Sequence, residues 1–270
     1  MNTTVKTAPY VLEETKNHVR WITLNRPKQR NPLSISMIDA LTSALTEAEN
    51  DASVRAIVIA SSGPVFSAGH DLKEMGKQAG ESLGDQQSRM RGILKKCSKL
   101  MIKIPHSPKA IIACVQGTAT AAGCQLVSAC DLAIASDQAK FCTPGVNLGG
   151  FCTTPLVGVG RNMHRKHAMV LALTGDAINA HEAEKIGLIN TAVEHDDLVD
   201  CVRELAERIA SKSAMGIRLG KSDFYKQIDM PLAEAFEFAN ESMIKAMTSS
   251  DAQEGTSAFF EKREPQWRGV

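Results

Sequence analysis

Short apolar runs rich in β-branched residues recur along this chain, and amphipathic helical patterns separate them. Runs this short are typical of buried strands, and strands that alternate with helices indicate an α/β domain. The 270 residues, 43% of them hydrophobic, suffice for one core of this kind, with or without a short appendage. The strands predicted in this way are Val19–Leu24, Ala56–Ala60, Ala110–Val115 and Leu132–Ala135.

Amphipathic patterns predict where the helices lie. The first helix follows Ser34 or Ser36, and its apolar residues recur on one core-facing side. Residues 76–95 are polar and contain glycine, so they predict a mobile loop that runs into a helix and could close as a lid. Further helical patterns cover residues 196–211, 231–247 and 251–262. The sequence therefore predicts a core domain over residues 1–200 and a C-terminal helical oligomerisation region over residues 201–270.

Charge, cysteine and hydropathy patterns argue against several classes of partner. Lys plus Arg number 31 and Asp plus Glu number 30, so no broad positive field attracts nucleic acid or an acidic membrane. The seven cysteines are scattered, without the paired spacing of a zinc site or a disulfide framework. No run of about 20 apolar residues predicts a membrane span. We expect no metal, no signal peptide and no Arg-rich leader, and therefore a cytoplasmic location.

Two glycine-containing segments follow predicted strands and carry the candidate chemistry. The first, residues 65–75, turns at Gly69, where the absence of a side chain lets backbone amides approach a ligand closely. The second, residues 117–131, is a glycine turn and small-residue loop that opens a helix, whose first amides are unpaired and would face an anion. Thioester chemistry requires such donors, because removal of an α-proton or addition of a nucleophile places negative charge on the thioester oxygen.

In this order the two segments resemble the oxyanion-hole segments of the crotonase (enoyl-CoA hydratase/isomerase) superfamily. The resemblance extends over nearly the whole chain, from about residue 11 to residue 267. Residues 24–28 with Asn31 are similar to the family's first-strand signature, whose Lys region approaches the coenzyme A phosphates. Residues 173–190 are similar to a late helix and turn of the family, and residues 254–263 are similar to its C-terminal helix.

The resemblance implies a fold, a ligand and a set of site residues. The fold would be α/β, a crotonase-like spiral of ββα units that forms two roughly perpendicular sheets, with a C-terminal helical region, assembled as a trimer or hexamer. The ligand would be an acyl-CoA thioester, with no other cofactor. The backbone amides of His70 and Ala122 would form the oxyanion hole. The residues that would contact coenzyme A are Lys28, Ala68, Gly69, His70, Asp71, Leu72, Phe259 and Lys262, the last two from this chain or from a neighbouring subunit.

The sequence departs from the family at both catalytic carboxylates. Family hydratases carry one glutamate where this chain has Gln125 and another where it has Gly145. Hydration of an enoyl thioester uses two carboxyl groups around one water, and each lost acid/base group costs about 10²- to 10⁴-fold in rate. We therefore expect ordinary hydratase activity to be weak or absent, and isomerase chemistry to suffer from the glycine. If the pocket is otherwise intact, the double variant Gln125→Glu with Gly145→Glu is expected to gain hydratase activity, and no gain would indicate that the geometry differs as well.

Other polar residues offer alternative chemistry, and each also has an ordinary structural interpretation. The His70 imidazole titrates near neutrality, although the family uses only the backbone at this position. Asp71 is expected to accept hydrogen bonds from local amides rather than to act as a base. The remaining candidates are Thr143, Asn147 and Thr153, expected in turns or caps, Cys142 and Cys152, expected to be inert thiols, and His164 and His167, expected at the surface or a subunit contact.

Three interpretations of the function follow. The first is an acyl-CoA enzyme with altered chemistry, in which the oxyanion hole holds an enolate or tetrahedral intermediate. The second is a non-catalytic acyl-CoA-binding protein that has lost its carboxylates. The third is a hydratase whose carboxylate comes from the 76–95 segment, with Glu81 or Asp85 as the candidates. The resemblance favours the first, and it implies a role in acyl-CoA metabolism.

Overall fold

The computed structural model describes residues 8–269, which form ten strands and eleven α-helices. The strands are β1 Val11–Lys16, β2 Val19–Leu24, β3 Ala56–Ser61, β4 Val65–Ser67, β5 Ala110–Val115, β6 Thr118–Thr120, β7 Leu132–Ser136, β8 Lys140–Cys142, β9 Ile178–Asn179 and β10 Thr191–Val193. The helices are α1 Ile35–Asn50, α2 Leu72–Met75, α3 Leu83–His106, α4 Ala122–Ala129, α5 Pro155–Asn162, α6 Arg165–Thr174, α7 Ala180–Lys185, α8 Leu198–Ala210, α9 Ala214–Gln227, α10 Leu232–Met247 and α11 Ser250–Glu261. Short 3-10 helices cover Pro27–Gln29, Pro144–Leu148 and His195–Asp197.

The strands form two sheets. The larger has the order β1-β2-β3-β5-β7-β10 and is parallel except for β1, and the smaller has the order β4-β6-β8-β9 and is parallel except for β9. From β3 to β8, consecutive strands alternate between the sheets, so that β3 is followed by β4, β5 by β6 and β7 by β8, and helical segments come after each pair. This repeated ββα arrangement, closed by C-terminal helices, confirms the predicted fold class.

The central strands β3 and β5 of the larger sheet are buried on both faces. In β3, Ile57 and Ile59 point into one hydrophobic cluster, whereas Ala56 and Val58 point into another, as the two-residue period of a strand requires. The first cluster includes side chains of α1, α3 and α4, and the second includes side chains of α8. A parallel strand covered on both faces needs a nearly continuous apolar run, which is why this strand was predictable from the sequence.

The four predicted strands are confirmed to within one residue at their ends. The first helix begins after Ser34, whose Oγ accepts a hydrogen bond from Met37 N at 3.2 Å. The sequence analysis does not predict β1, β4, β6, β8, β9 or β10. Strands β4 and β6 lie in the segments described as a corner and as a turn with a loop. Like β8, each has only three residues, too few for an alternation of apolar and polar positions to be recognisable.

Residues 76–95 run from a turn into a helix, as predicted, and the helix takes up most of that range. Helix α3 starts inside it, directly after its capping residue Ser82. Arg89 holds the turn before the helix, because its guanidinium donates to Gly76 O at 2.8 Å and forms an ion pair with Glu81 at 2.7 Å. The segment is therefore a pinned turn followed by a helix, and its guanidinium anchor opposes the motion that a lid would need.

The C-terminal helices fall into two groups. Helix α8 packs on the larger sheet through Val202 and Ala206, so the boundary predicted near residue 200 lies inside a helix of the core. Helices α9, α10 and α11 pack on one another beyond it. The sequence did not single out α9, because none of its residues is fully buried. No helix within residues 8–269 is both long and apolar enough to cross a membrane.

Candidate functional site

The corner after β4 touches the start of helix α4. Gly69 has a φ of +82°, and a Cβ added there would lie 2.8 Å from Thr120 O and 3.2 Å from Ala122 N. A residue with a side chain would be strained by that φ and would push the two segments apart. The glycine therefore lets the two segments that carry the candidate chemistry come into direct contact.

Two backbone amides at this contact are unpaired. Within residues 8–269, neither the His70 N–H nor the Ala122 N–H has a hydrogen-bond acceptor. Ala122 is the first residue of α4, a position whose amide has no partner inside a helix. The residue before it, Ala121, has φ 51° and ψ −113°, and its own amide donates to Cys142 O at 2.9 Å. Strain of this kind in a non-glycine residue is characteristic of functional sites.

Hydrogen bonds from the first-strand signature hold the corner in place. The buried Asn31 side chain accepts from Arg26 N and donates to Ser62 O and Val65 O, at 2.7 to 2.9 Å. In addition, Ala68 N donates to Arg30 O at 2.9 Å. Arg30, which directly follows the short helix with the exposed Lys28, therefore joins that helix to Ala68.

Buried polar atoms without a partner concentrate around the free amides. Within residues 8–269 these side-chain atoms are Nδ1 and Nε2 of His70, Oε1 of Gln125, Oγ1 of Thr143 and Oε1 of Glu49. The Glu49 carboxylate lies elsewhere and forms an ion pair with Lys103 through its other oxygen. An unsatisfied buried polar group costs about 1–3 kcal/mol. The site therefore has a polar lining that the chain itself does not satisfy.

Gln125 stands one helical turn after the free amide. Its own backbone N donates to Ala121 O at 3.1 Å, so Gln125 lies on the same side of the helix as Ala121 and Ala122. Gln125 is 6% exposed. An amide side chain cannot titrate in the useful pH range, but it can hold a polar group through its oxygen and nitrogen.

The position of the second family carboxylate is closed to any side chain. A Cβ added to Gly145 would lie 2.7 Å from Cys152 N and 2.8 Å from Phe151 C. The Gly145 carbonyl also accepts a hydrogen bond from Gly150 N at 3.0 Å. The backbone after the 3-10 helix thus fills the space into which a glutamate would extend.

The His70 imidazole is held in its neutral form by burial. Desolvation lowers the pKa of the ring. The nearby Leu33 backbone opposes part of this pKa shift, although neither ring nitrogen makes a hydrogen bond. Leu33 N instead donates to Gly69 O at 2.7 Å, which fixes the backbone beside His70. A neutral imidazole with two free nitrogens can donate one hydrogen bond and accept another.

The other polar candidates have different surroundings in the structure. Asp71 caps α2 by accepting from Lys73 N at 2.9 Å, which confirms the expected local role. Asn147 and Thr153 are exposed. Thr143 is fully buried and precedes a 3-10 helix, yet its hydroxyl makes no capping bond, so the cap expected of it is absent. Nothing in the sequence distinguishes Thr143 from the other two, since the difference lies in which neighbours surround the hydroxyl.

The thiols and the remaining histidines show no sign of reactivity. Burial raises the pKa of the Cys124 and Cys152 thiols, which disfavours the nucleophilic thiolate. The Cys142 thiol lies 3.4 Å from Thr120 Oγ1. His164 and His167 are exposed, as expected. Among residues 8–269, no three His, Cys, Asp or Glu side chains are grouped so that they could hold a metal ion.

The residues predicted to cover the nucleotide lie at the end of α11. Phe259 is 79% exposed, and Lys262 follows the helix in a left-handed conformation. The neighbouring Arg263 forms ion pairs with Glu254 and Glu261. Glu81, the alternative source of a carboxylate, is bound to a guanidinium that lowers its pKa to about 2. A carboxylate committed in this way is poorly suited to proton transfer at neutral pH.

Comparisons with known proteins agree on one family. A family model described as enoyl-CoA hydratase/isomerase matches residues 14–270. The chain is 42% identical over 249 residues to rat enoyl-CoA hydratase domain-containing protein 3, mitochondrial, covering 92% of this chain and 81% of the relative. It is 34% identical over 264 residues to a probable enoyl-CoA hydratase of Mycobacterium tuberculosis, covering 95% of this chain and 97% of the relative.

Solved structures give the same result. The enoyl-CoA hydratase of Mycobacterium smegmatis superposes with a TM-score of 0.90 at 40% identity, covering 96% of this chain and 99% of that one. Human enoyl-CoA hydratase domain-containing protein 3 also gives a TM-score of 0.90 at 40% identity, covering 96% of this chain and all of that one.

The names of the relatives overturn one expectation. The proteins from rat, mouse and human are each named mitochondrial, so the prediction of a cytoplasmic location is wrong. Targeting signals are read from segments outside the folded domain. The composition of the folded domain therefore does not report the compartment.

Proposed function

This chain belongs to the enoyl-CoA hydratase/isomerase family, and we propose that it binds an acyl-CoA thioester whose carbonyl oxygen accepts hydrogen bonds from the amides of His70 and Ala122. Membership in the family places it in acyl-CoA metabolism. The names of the relatives support a mitochondrial location. Coenzyme A would lie along Ala68, Gly69, Asp71 and Leu72 with its phosphates near Lys28, while Phe259 and Lys262 of this chain or of a neighbouring subunit cover the nucleotide.

The two unpaired amides carry this proposal. They stand where two segments from different strands meet, and Gly69 and the strained Ala121 hold them there. Preorganised amides of this kind stabilise the negative charge that develops on a thioester oxygen, by about 3–4 kcal/mol for each donor. The two amides would stabilise an enolate and a tetrahedral intermediate equally, since both place negative charge on the same oxygen.

Ordinary hydration is expected to be weak or absent. Gln125 cannot act as an acid or a base, and the space beside Gly145 is filled by the backbone of Phe151 and Cys152. Two groups that each contribute about 10²- to 10⁴-fold to proton transfer are missing. The alternative is a non-catalytic acyl-CoA-binding protein. The absence of a carboxylate at Gln125 and Gly145 supports this alternative equally well.

A panel of acyl-CoA thioesters tests the two parts of the proposal separately. Calorimetric titration measures binding, and mass spectrometry of the same mixtures measures turnover. We expect binding across saturated thioesters together with hydration of crotonyl-CoA that is slow or undetectable. The absence of binding to any thioester would overturn the proposed ligand class, whereas rapid hydration would overturn the proposed loss of hydratase chemistry.

A proline substitution isolates one of the two amides. Ala122→Pro removes the N–H at the first position of α4, where proline is compatible with a helix. We expect the variant to lose most of its affinity for acyl-CoA while its circular dichroism spectrum stays unchanged. Leu83→Pro is the matched control, because it removes the equivalent amide at the start of α3, where Leu83 is 69% exposed. Unchanged binding by a folded Ala122→Pro variant would show that this amide is not used.

A further inference from the structure

We propose that Arg89, in the second turn of helix α3, is a positioning residue for thioester binding, because its guanidinium holds helix α2 in the place that sets the backbone amide of His70. The inference rests on the proposed function, since it concerns how one of the two amides is held. It goes further by giving a role to a side chain outside the Ala68 to Leu72 segment, one that acts through the backbone rather than on the ligand.

Helix α2 is too short to hold its own shape. It has four residues, Leu72–Met75, and follows His70 after a single residue. A helix of one turn is unstable by itself, because its first amides and its last carbonyls have no partners inside it. Asp71 caps the first amides by accepting from Lys73 N at 2.9 Å. The carbonyls at the other end need partners from elsewhere in the chain.

Arg89 supplies those partners. Its guanidinium donates to Glu74 O and to Gly76 O, the latter at 2.8 Å. The same group forms a two-pronged ion pair with Glu81, at 2.7 Å through Nε and at 2.8 Å through Nη2. The Arg89 and Glu81 side chains are only 21% and 10% exposed. A planar guanidinium holds several acceptors at fixed angles, so it fastens the end of α2 and the turn that follows to α3.

Helix α2 is also tied to the start of helix α1. Glu74 Oε2 accepts from Ile35 N at 2.8 Å, so the residue whose carbonyl Arg89 binds also pairs one of the free amides at the start of α1. Just before that helix, Leu33 N donates to Gly69 O at 2.7 Å. The backbone from Gly69 to Glu74 is therefore fastened to one stretch of chain at both ends, and the His70 amide lies between the two fastenings.

Loss of the guanidinium would release the far end of this segment. The last carbonyls of α2 would have to bind water, and the segment would sample other conformations. If the free protein then holds the binding conformation for about a tenth of the time, its affinity for a thioester falls about tenfold, because the apparent dissociation constant scales inversely with that fraction. Helix α3 itself stays in the core through apolar residues such as Leu100 and Ile104.

Calorimetry and infrared spectroscopy with butyryl-CoA test the assignment. An isotope label on the thioester carbon distinguishes the carbonyl stretch of the ligand from that of the protein, and a hydrogen bond to the oxygen lowers its frequency. We expect Arg89→Met to bind about tenfold more weakly and, at saturation, to lower the frequency less than the parent protein does. Arg89→Lys should lie between the two, because an ammonium group can bind a carbonyl but cannot reproduce the fork on Glu81.

Two further variants and one further measurement separate positioning from stability. Arg91→Met is the matched control, because Arg91 is exposed on the same helix two residues later. Glu81→Gln keeps the size of the side chain and removes its charge, so it should act in the same direction as Arg89→Met but less. Urea denaturation measures the stability of each variant. A purely structural role of Arg89 would lower stability and leave the frequency of the bound carbonyl unchanged.

Each outcome decides one proposal. An Arg89→Met variant with the affinity and the carbonyl frequency of the parent would overturn the positioning role and leave the proposed function intact. Equal changes in Arg91→Met would also overturn it, because they would trace the effect to the charge of the helix. If Arg89→Met does not fold, the same two measurements on Glu81→Gln decide. A parent protein that binds no thioester, or that binds butyryl-CoA without lowering the carbonyl frequency, would instead overturn the proposed function.

Discussion

Gly145 shows how one backbone position changes what a site can do. The resemblance implies a family glutamate at this position, but here a Cβ would already collide with the backbone of Phe151 and Cys152. The prediction that Gln125→Glu together with Gly145→Glu regains hydration requires an otherwise intact pocket. A side chain at position 145 enters only if the loop of Phe151 and Cys152 is displaced, so we expect the double variant to regain hydration only if that loop moves.

We predict that Gly145→Ala destabilises the protein by about 1–3 kcal/mol, the usual cost of overpacking a closed position. Urea denaturation measures the change in the free energy of unfolding. Gly92→Ala is the control, because this exposed glycine inside α3 has no atom within 4 Å of an added Cβ. It should stabilise by about 0.5–1 kcal/mol through helix propensity. A Gly145→Ala variant as stable as the parent would show that the loop moves freely.

The sequence predicted backbone positions of the site better than it predicted the state of its side chains. Small residues and glycine at the end of a strand indicate the segments 65–75 and 117–131, and the resemblance to the family then implies His70 and Ala122 within them. The orphaned hydroxyl of Thr143 could not be identified. Whether a buried polar atom has a partner depends on three-dimensional neighbours, and residue type alone does not report them.

At the level of elements, helix α9 is fastened to the core by a buried ionic cluster. Lys221 Nζ donates to Asp131 Oδ2 at 2.6 Å and to the carbonyls of Ile104 and Lys109 at 3.0 and 2.8 Å. Tyr225 donates to the other carboxylate oxygen at 3.0 Å. Burial raises the pKa of Asp131 and lowers that of Lys221, and each charge opposes the shift of the other.

Lys221→Met should destabilise the protein by about 3–5 kcal/mol, because it leaves the Asp131 carboxylate buried without its cation. Lys96→Met is the control. Its ion pair with Asp39 is exposed, with side chains 47% and 54% accessible, and should be worth less than about 1 kcal/mol. Guanidinium denaturation of both variants gives the comparison. Equal losses would mean that the buried cluster contributes no more than a surface pair.

Strands and helices can be predicted from the sequence where their residues are uniformly buried, and they cannot where buried and partly exposed residues are mixed. Strands such as β5, buried along its whole length, appear in the sequence as unbroken apolar runs. Helix α9 is not predicted, because its residues are only partly buried and because Lys221, which binds the helix to the core, is charged. A charged residue in an amphipathic pattern is normally assigned to solvent.

For the whole molecule, the outer face of α9 and α10 is too apolar for a surface in water. A groove of about 460 Å³ runs between the two helices, and its apolar residues include Leu232, Phe236 and Met243, which are 76%, 63% and 59% exposed. Monomeric proteins rarely expose a continuous apolar patch of more than a few hundred Å². We therefore expect this face to pack against a neighbouring chain, in the trimer or hexamer that the family resemblance implies for the C-terminal helical region.

We predict that the protein has three or six times the 29.1 kDa mass of one chain in solution, and that Phe236→Asp reduces it to single chains. An aspartate in the middle of an apolar interface would lose its hydration without gaining a cation, at a cost of several kcal/mol per subunit. Light scattering during size-exclusion chromatography measures the mass. Leu83→Asp is the control, because Leu83 is equally exposed but starts α3, where an acidic residue favours the helix dipole. A monomeric parent protein, or a Phe236→Asp variant of unchanged mass, would contradict assembly through this face.

If Phe259 and Lys262 reach a neighbour's coenzyme A, the dissociated variant should also bind acyl-CoA more weakly, whereas unchanged affinity would show that each chain completes its own nucleotide site.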